Sequence, residues 1–88
     1  MVVGNYIKII DTGKIYTTYK TMFEKLGFRD PDKKKDCKKG EKGTIFVITK
    51  HLTNEDYTLY GIELDSGKQI LIGEKGVIRL KDKIHELW

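Results

Sequence analysis

The side chains of this sequence that are most capable of chemistry are one cysteine and two histidines, Cys37, His51 and His85. A thiol beside an imidazole can act as a nucleophile with its base, and the same three side chains can ligate zinc. Zinc sites usually show paired ligand spacings such as CxxC or HxxxH, and the sequence contains neither. We therefore predict solvated histidines, no catalytic residue, no metal site and no cofactor, so the chain is not expected to be an enzyme.

Cys37 is the only cysteine of the chain, which excludes an internal disulfide and favours a reducing cytosol as the compartment. It lies in a lysine-rich segment, and neighbouring positive charge lowers the pKa of a thiol. The sequence therefore predicts an exposed, incidental thiol. The alternative is a thiol that its lowered pKa makes modifiable.

A second group of candidate ligands consists of carboxylates at positions 1, 3, 7 and 12 of a calcium-loop register. They are Asp30, Asp32, Asp36 and Glu41. The same register places Lys34 at a ligand position and Lys35 where such loops need glycine for a sharp turn. The surrounding lysines would also repel a cation, so we do not expect calcium to bind.

Residues 28–42 form a long polar loop with an excess of positive charge. The loop holds seven of the 17 basic side chains and four of the 13 acidic ones, so it carries +3 of the net charge of +4. Its basic residues are Arg29, Lys33, Lys34, Lys35, Lys38, Lys39 and Lys42. Such a concentration of charge favours a polyanion or an acidic protein as the partner.

Two classes of partner remain open for this basic loop. Lysines gain free energy from counterion release on phosphates, and Tyr16 and Tyr57 can stack on the bases of a single strand. Alternatively, the loop docks on an acidic patch of a host protein. The interspersed carboxylates also fit a third interpretation, in which the charges only keep the loop solvated.

The C-terminal tail, residues 81–88, is the second candidate for a binding surface. It ends in Leu87 and Trp88, and tryptophan is enriched among the anchor residues of interfaces. We expect the tail, a short helical turn or an extended segment, to fold back over the body or to dock on another chain. Exchange of tails between two copies would give a homodimer.

The elements that must position these residues are mainly β-strands. Residues 57–64 and 69–73 are rich in β-branched, leucine and aromatic side chains, and a short connection with Gly67 joins them, which is typical of a β-hairpin. Further strands are predicted at residues 6–10, 44–50 and 77–80, giving five in total. In the hairpin, alternation places one set of side chains on the inner face: Tyr60, Ile62, Leu64, Ile70 and Ile72.

One segment has helical rather than strand periodicity. Tyr19, Met22, Phe23 and Leu26 stand at i, i+3, i+4 and i+7. This spacing predicts a short helix between strands 1 and 2 that ends at Gly27 and covers an open end of a barrel.

Length and composition indicate one small soluble domain spanning residues 1–88. Of the 88 residues, 39% are hydrophobic and 34% are charged, which is typical of a globular protein. No apolar run approaches the roughly 18 residues of a membrane span, and the N-terminus does not resemble a signal peptide. We expect a cytoplasmic protein without a membrane partner.

The chain resembles small SH3-like (KOW-like) barrel proteins, which are common among accessory proteins of tailed bacteriophages. The resemblance covers nearly the whole chain and rests on strand, turn and glycine positions at residues 4–16, 26–27, 43–47, 59–64 and 70–73. It implies a five-stranded barrel with one inserted helix and no catalytic residues. It also implies a binding module, since such barrels bind peptides, proteins or nucleic acids.

From these observations we expect a phage-type accessory protein that works in the host cytoplasm. Its function is predicted to be binding and inhibiting a host or defence protein. The alternative is a KOW-like RNA- or DNA-binding module that uses the basic loop.

Overall fold

The computed structural model describes residues 1–80 of the chain. The predictions for the tail, including Trp88 and a homodimer through residues 81–88, therefore lie outside the described residues. Among residues 1–80, none of the helices has the length and hydrophobicity of a membrane-spanning segment.

The protein is mainly β, with six antiparallel strands in one curled, half-barrel sheet of order β2-β5-β4-β3-β1-β6. The strands are β1 (Tyr6–Ile9), β2 (Ile15–Tyr16), β3 (Lys42–Lys50), β4 (Thr58–Leu64), β5 (Gln69–Gly73) and β6 (Val77–Arg79). One helix, α1 (Lys20–Lys25), and two 3-10 turns, Thr12–Lys14 and Glu74–Gly76, complete the described elements.

The predicted β-hairpin is confirmed as β4 and β5. Tyr60 pairs with Ile72 and Ile62 with Ile70, so the side chains expected to share the inner face do so. Gly67 has φ of 93°, the left-handed conformation that glycine adopts without strain. The inner face packs into the main core cluster, which consists of Ile7, Ile9, Ile45, Tyr60, Ile62, Leu64, Ile70, Ile72 and Val77.

A second core lies on the outer face of the sheet, and an irregularity in β3 helps to build it. The register between β3 and β4 shifts between Ile45 and Val47. Ile45 belongs to the inner core, whereas Phe46 and Val47 both pack against the outer one. A β-bulge allows this because it interrupts strict alternation. The outer cluster consists of Phe23, Phe28, Leu59 and Leu71.

The structure corrects the predicted number of strands and the position of the helix. Five strands were expected, but Ile15 and Tyr16 form a sixth by pairing with Ile72 and Leu71. The helix therefore lies between β2 and β3. A strand of two residues carries too little alternation to be recognised in the sequence.

The role of the helix also differs from the prediction. Phe23 of α1 packs on the outer face of the sheet, within the outer cluster, and does not cover an end of a barrel. Tyr19, the first residue of the predicted apolar stripe, is 65% exposed. The predicted end of the helix is confirmed, since Gly27 follows it with φ of 92°.

Candidate binding site

The basic loop is anchored to the β4–β5 hairpin by Arg29 at its start. One guanidinium nitrogen of Arg29 donates to Glu63 Oε1 at 2.8 Å, and the other donates to the carbonyl of Gly67 at 2.6 Å. The main-chain N–H of Arg29 donates to the side-chain oxygen of Gln69 at 2.8 Å. The arginine that was expected to bind a partner therefore ties the loop to its own sheet.

Two other cations of the loop face carboxylates of the loop itself. The ammonium nitrogen of Lys33 lies 3.8 Å from Oδ2 of Asp30, and that of Lys34 lies 3.7 Å from Oδ2 of Asp36. Asp36 also accepts a hydrogen bond of 2.9 Å from Lys68 in the hairpin turn, which is the main reason why the pKa of Asp36 lies below its ordinary value. These contacts neutralise much of the positive charge that the sequence suggested for a partner.

Lys35 is turned into the protein and is only 6% exposed. Its ammonium group donates to the main-chain carbonyls of Asp30 and Lys33 and lies 4.7 Å from the centre of the Phe23 ring. Burial is the main cause that lowers the pKa of Lys35, and the charge of Asp30 opposes it. A side chain in this position holds the loop on α1, and its ammonium group is already engaged by contacts within the protein.

The remaining lysines of the loop are Lys38, Lys39 and Lys42. Lys38 and Lys39 are exposed, and neither has an ion pair within residues 1–80. Lys42 begins β3 and is half-buried opposite Lys8 of β1. Of the seven predicted contact residues in the loop, these three and the buried Lys35 make no ion pair with a carboxylate of residues 1–80.

Cys37 does not have the properties expected from its lysine-rich surroundings. The side chain packs against the inner core cluster, and burial raises the pKa of its thiol to about 11, with a smaller contribution from Glu41. The predicted lowering of the pKa was wrong because desolvation disfavours the thiolate more than the nearby lysines favour it. His51 follows the far end of β3, and a nine-residue strand spans about 27 Å, so Cys37 and His51 do not form a catalytic pair.

Tyr16 and Tyr57, by contrast, lie together, with His51 beside them. The ring centre of Tyr16 lies 5.4 Å from that of His51 and 6.1 Å from that of Tyr57. The main-chain N–H of Thr53 donates to His51 Nδ1 at 3.2 Å, which fixes the imidazole within this group. The three rings are half-buried, so each of them is partly accessible.

These rings border a hollow that we call the aromatic hollow, of about 360 Å3. It is lined by Lys14, Tyr16, His51, Asn54, Tyr57 and Lys75. Tyr57 immediately precedes β4, whereas the hairpin turn that holds the basic loop follows it, and a seven-residue strand is about 20 Å long. The sequence predicted that the basic loop and the two tyrosines form one binding surface. In the structure the basic loop and the tyrosines lie at opposite ends of β4.

Tyr16 and His51 also contribute to a second depression, which we call the apolar groove. It has a volume of about 220 Å3 and lies between α1, β2 and the chain that follows β3. Its apolar lining comes from Tyr16, Met22, Leu26, Leu52, Leu59 and Leu71. Leu52 stands at the rim and is 69% exposed. This groove could not be predicted from the sequence because its residues come from five separate segments.

No protein-family model, curated protein or solved structure matches this chain. Within residues 1–80, no group of three histidine, cysteine, aspartate or glutamate side chains is arranged to hold a metal ion. The function is therefore inferred from the geometry of the chain itself.

Proposed function

We propose that the protein is a non-catalytic binding module that holds a segment of a partner protein in the apolar groove. The observation that carries this proposal is a depression of about 220 Å3 with leucine, methionine and tyrosine side chains in its walls. The most exposed of them, Leu52, is an apolar side chain that contact with a partner would remove from water.

The size of the groove favours a single anchoring side chain over a small molecule. Pockets for drug-sized ligands usually have volumes of about 300–1,000 Å3, and this one is smaller. A cavity of about 150 Å3 already accommodates benzene. One large aromatic or aliphatic side chain fits the space, and such buried anchors supply most of the binding energy in many interfaces.

Charge indicates what surrounds that anchor in the partner. Lys50 is the one charged side chain among the described residues that line the groove, and the whole chain has a net charge of +4. A partner segment with acidic residues beside its apolar anchor would be complementary to this surface, and such complementarity mainly raises the association rate. We therefore expect a short acidic segment with one large apolar residue.

The edge of the sheet offers a route by which such a segment can align. β2 is the edge strand beside the groove, and β5 is its sole neighbour among the described strands. Thr17 and Thr18, which follow β2, also line the groove. An extended peptide that bonds to this edge would have its main chain fixed while alternate side chains face the groove.

The biological context that we propose is based on the resemblance of the sequence to phage accessory barrels. A small protein that occupies a segment of a host or defence protein would block whatever that segment normally contacts. We propose inhibition by occupancy, without turnover, as the mechanism. The basic loop then contributes steering toward an acidic partner through Lys38, Lys39 and Lys42, since long-range attraction does not require direct contact.

The test is selection of binding peptides from a displayed library of short random segments, using the full chain as bait. The expected result is a set of peptides that share one large apolar residue with acidic neighbours. Leu52→Asp should abolish binding of the selected peptides because it places a negative charge at the rim of the groove. Val2→Asp is the matched control, since Val2 is 62% exposed and does not line the groove.

Retention of full affinity in Leu52→Asp would overturn the proposal, as would a selection that yields no peptides. Binding that Lys38→Glu/Lys39→Glu abolishes and Leu52→Asp does not would assign the partner to the basic loop. Circular dichroism of each variant verifies that the fold is intact before affinities are compared.

A further inference from the structure

We infer that the aromatic hollow is a binding site for one nucleotide unit, with the base against the tyrosine rings and the phosphate on Lys14 and Lys75. This site differs from the apolar groove and from the basic loop. It lies where the two 3-10 turns meet the residues that follow β3.

Two glycines create the space in which the lining residues pack. A β-carbon at Gly73 would lie 2.7 Å from ring carbons of Tyr57, so a side chain there would displace the tyrosine. A β-carbon at Gly76 would lie 2.8 Å from the β-carbon of Lys14. Gly73 directly precedes the second 3-10 turn and Gly76 is its last residue, and the turn also carries Lys75. The absence of side chains at these two positions therefore brings Tyr57, Lys14 and Lys75 to the same hollow.

The charge of the hollow is positive and uncompensated. Lys14 and Lys75 both line it, and neither has a carboxylate partner within residues 1–80. No aspartate or glutamate of the described part lines it. Glu74, the chain neighbour of Lys75, is not among the residues that line the hollow. Two free ammonium groups at one hollow are suited to a phosphate.

The aromatic rings supply the second element that a nucleotide needs. Tyr16 and Tyr57 are tilted by 54° to each other, and His51 meets Tyr16 at 74°. Because the rings are not stacked face to face, a base can stack on the face of one ring without displacing the others. Stacking on aromatic side chains tolerates any base. The volume of about 360 Å3 lies within the range of ligand pockets, about 300–1,000 Å3.

This chemistry favours a nucleotide over an acidic peptide, because every nucleotide carries both a planar base and a phosphate, whereas an acidic peptide supplies a planar group only where it contains an aromatic residue. The nucleotide unit can belong to a free nucleotide or to a single strand of nucleic acid. Both present the same base and phosphate, and a competition experiment distinguishes them.

The experiment measures the fluorescence anisotropy of a short fluorescein-labelled oligothymidylate titrated with the full-length protein at low salt. We expect saturable binding that weakens between about 50 and 200 mM NaCl. Lys14→Glu/Lys75→Glu should weaken it about tenfold or more, because both phosphate contacts become repulsive. Lys38→Glu/Lys39→Glu changes the net charge equally at exposed sites of the basic loop and should weaken it less than about threefold.

A pair of tyrosine variants tests the stacking. Tyr57→Phe keeps the ring and should bind like the wild type, whereas Tyr57→Leu should bind about five- to a hundredfold more weakly. The lysine pair keeps the test decisive if Tyr57→Leu fails to fold, because both lysines are on the surface turns. Displacement of the oligonucleotide by ADP would identify a free nucleotide as a ligand, and failure of ADP to displace it would identify the strand.

Three results would overturn the inference. The first is the absence of oligonucleotide binding at low salt, and the second is equal weakening by the two lysine pairs. The third is binding of an acidic peptide, but not of oligothymidylate or ADP, that Lys14→Glu/Lys75→Glu abolishes. None of these results depends on Leu52. The test of peptide binding in the apolar groove is therefore independent of the test of nucleotide binding in the aromatic hollow.

Discussion

The ammonium nitrogen of Lys35 lies 4.7 Å from the centre of the Phe23 ring, and Lys35 is the one buried charged side chain among residues 1–80. The contact joins the basic loop to α1, and α1 is held on the sheet by the same phenylalanine. A charge that the sequence suggested for a ligand is therefore part of the support of the loop. Cation–π contacts strengthen when the cation is desolvated, as it is here.

The first prediction concerns the stability that Lys35 provides. Lys35→Ala should lower the free energy of unfolding by about 1–3 kcal/mol, because two main-chain carbonyls lose their donor and the ring loses its cation. Lys34→Ala is the matched control and should change it by less than about 0.5 kcal/mol, since that side chain is exposed. Urea unfolding measures both, and equal effects of the two variants would contradict the structural role of Lys35.

The second prediction concerns the β-bulge of β3. A β-carbon at Gly61 would clash with Cγ1 of Val47, so Gly61→Ala should destabilise the protein by about 1–3 kcal/mol through overpacking. Val47→Ala removes the atom that is in the way. The double variant should therefore lose less unfolding free energy than the sum of the losses in the two single variants. Strict additivity in urea unfolding would show that the two residues do not compete for this space.

The third prediction concerns the thiol of Cys37. Its pKa of about 11 in the folded state, against 9.0 for an ordinary thiol, reduces the thiolate fraction at pH 8 about a hundredfold. Alkylation by iodoacetamide at pH 8 should thus be about a hundredfold slower for the folded chain than for the chain in concentrated urea. Mass spectrometry of timed samples gives both rates. Similar rates would contradict the raised pKa and indicate an exposed thiol, as the sequence predicted.

The fourth prediction concerns acid and the anchor of the basic loop. The hydrogen bond from Arg29, and then that from Gln69, hold the pKa of Glu63 below its ordinary value. This contribution to stability is fully present above the pKa of the unfolded carboxyl and is lost as the pH falls below about 4. Arg29→Gln should therefore reduce the dependence of the urea midpoint on pH in this range.

At pH 7, Arg29→Gln should lower the free energy of unfolding by less than about 1 kcal/mol. The side chains of Arg29 and Glu63 are both about half exposed, so solvent screens the ion pair. Arg79→Gln serves as the control, since Arg79 is exposed and makes no ion pair within residues 1–80. An unchanged acid profile in Arg29→Gln would show that other carboxylates dominate.

The sequence allowed the sheet to be predicted further than the sites on it. The hairpin was recognisable because side chains alternate with a period of two on both sides of Gly67, and burial enforces that register. The strand predicted at residues 44–50 was found as β3, a central strand that contributes side chains to both core clusters. β2 could not be predicted from the sequence because two residues are too few to show alternation. Only its pairing with Leu71 and Ile72 defines it as a strand.

The candidate site could be predicted only in part, for a physical reason. Tyr16 and Tyr57 were identified one by one as residues able to stack, but their proximity depends on sheet pairing between distant segments. Lys35 was counted with its neighbours because its type and position say nothing about the two phenylalanines that surround its ammonium group. Desolvation, which also determines the pKa of Cys37, is a property of packing and not of composition.

Amide chemical-shift mapping of the labelled protein with a selected peptide tests the central claim, that a partner segment binds in the apolar groove, most directly. We predict that the largest shifts fall on residues of the groove, with Met22, Leu26, Leu52 and Leu71 among them. Shifts confined to residues 28–42, with the groove unperturbed, would contradict the claim and assign recognition to the basic loop.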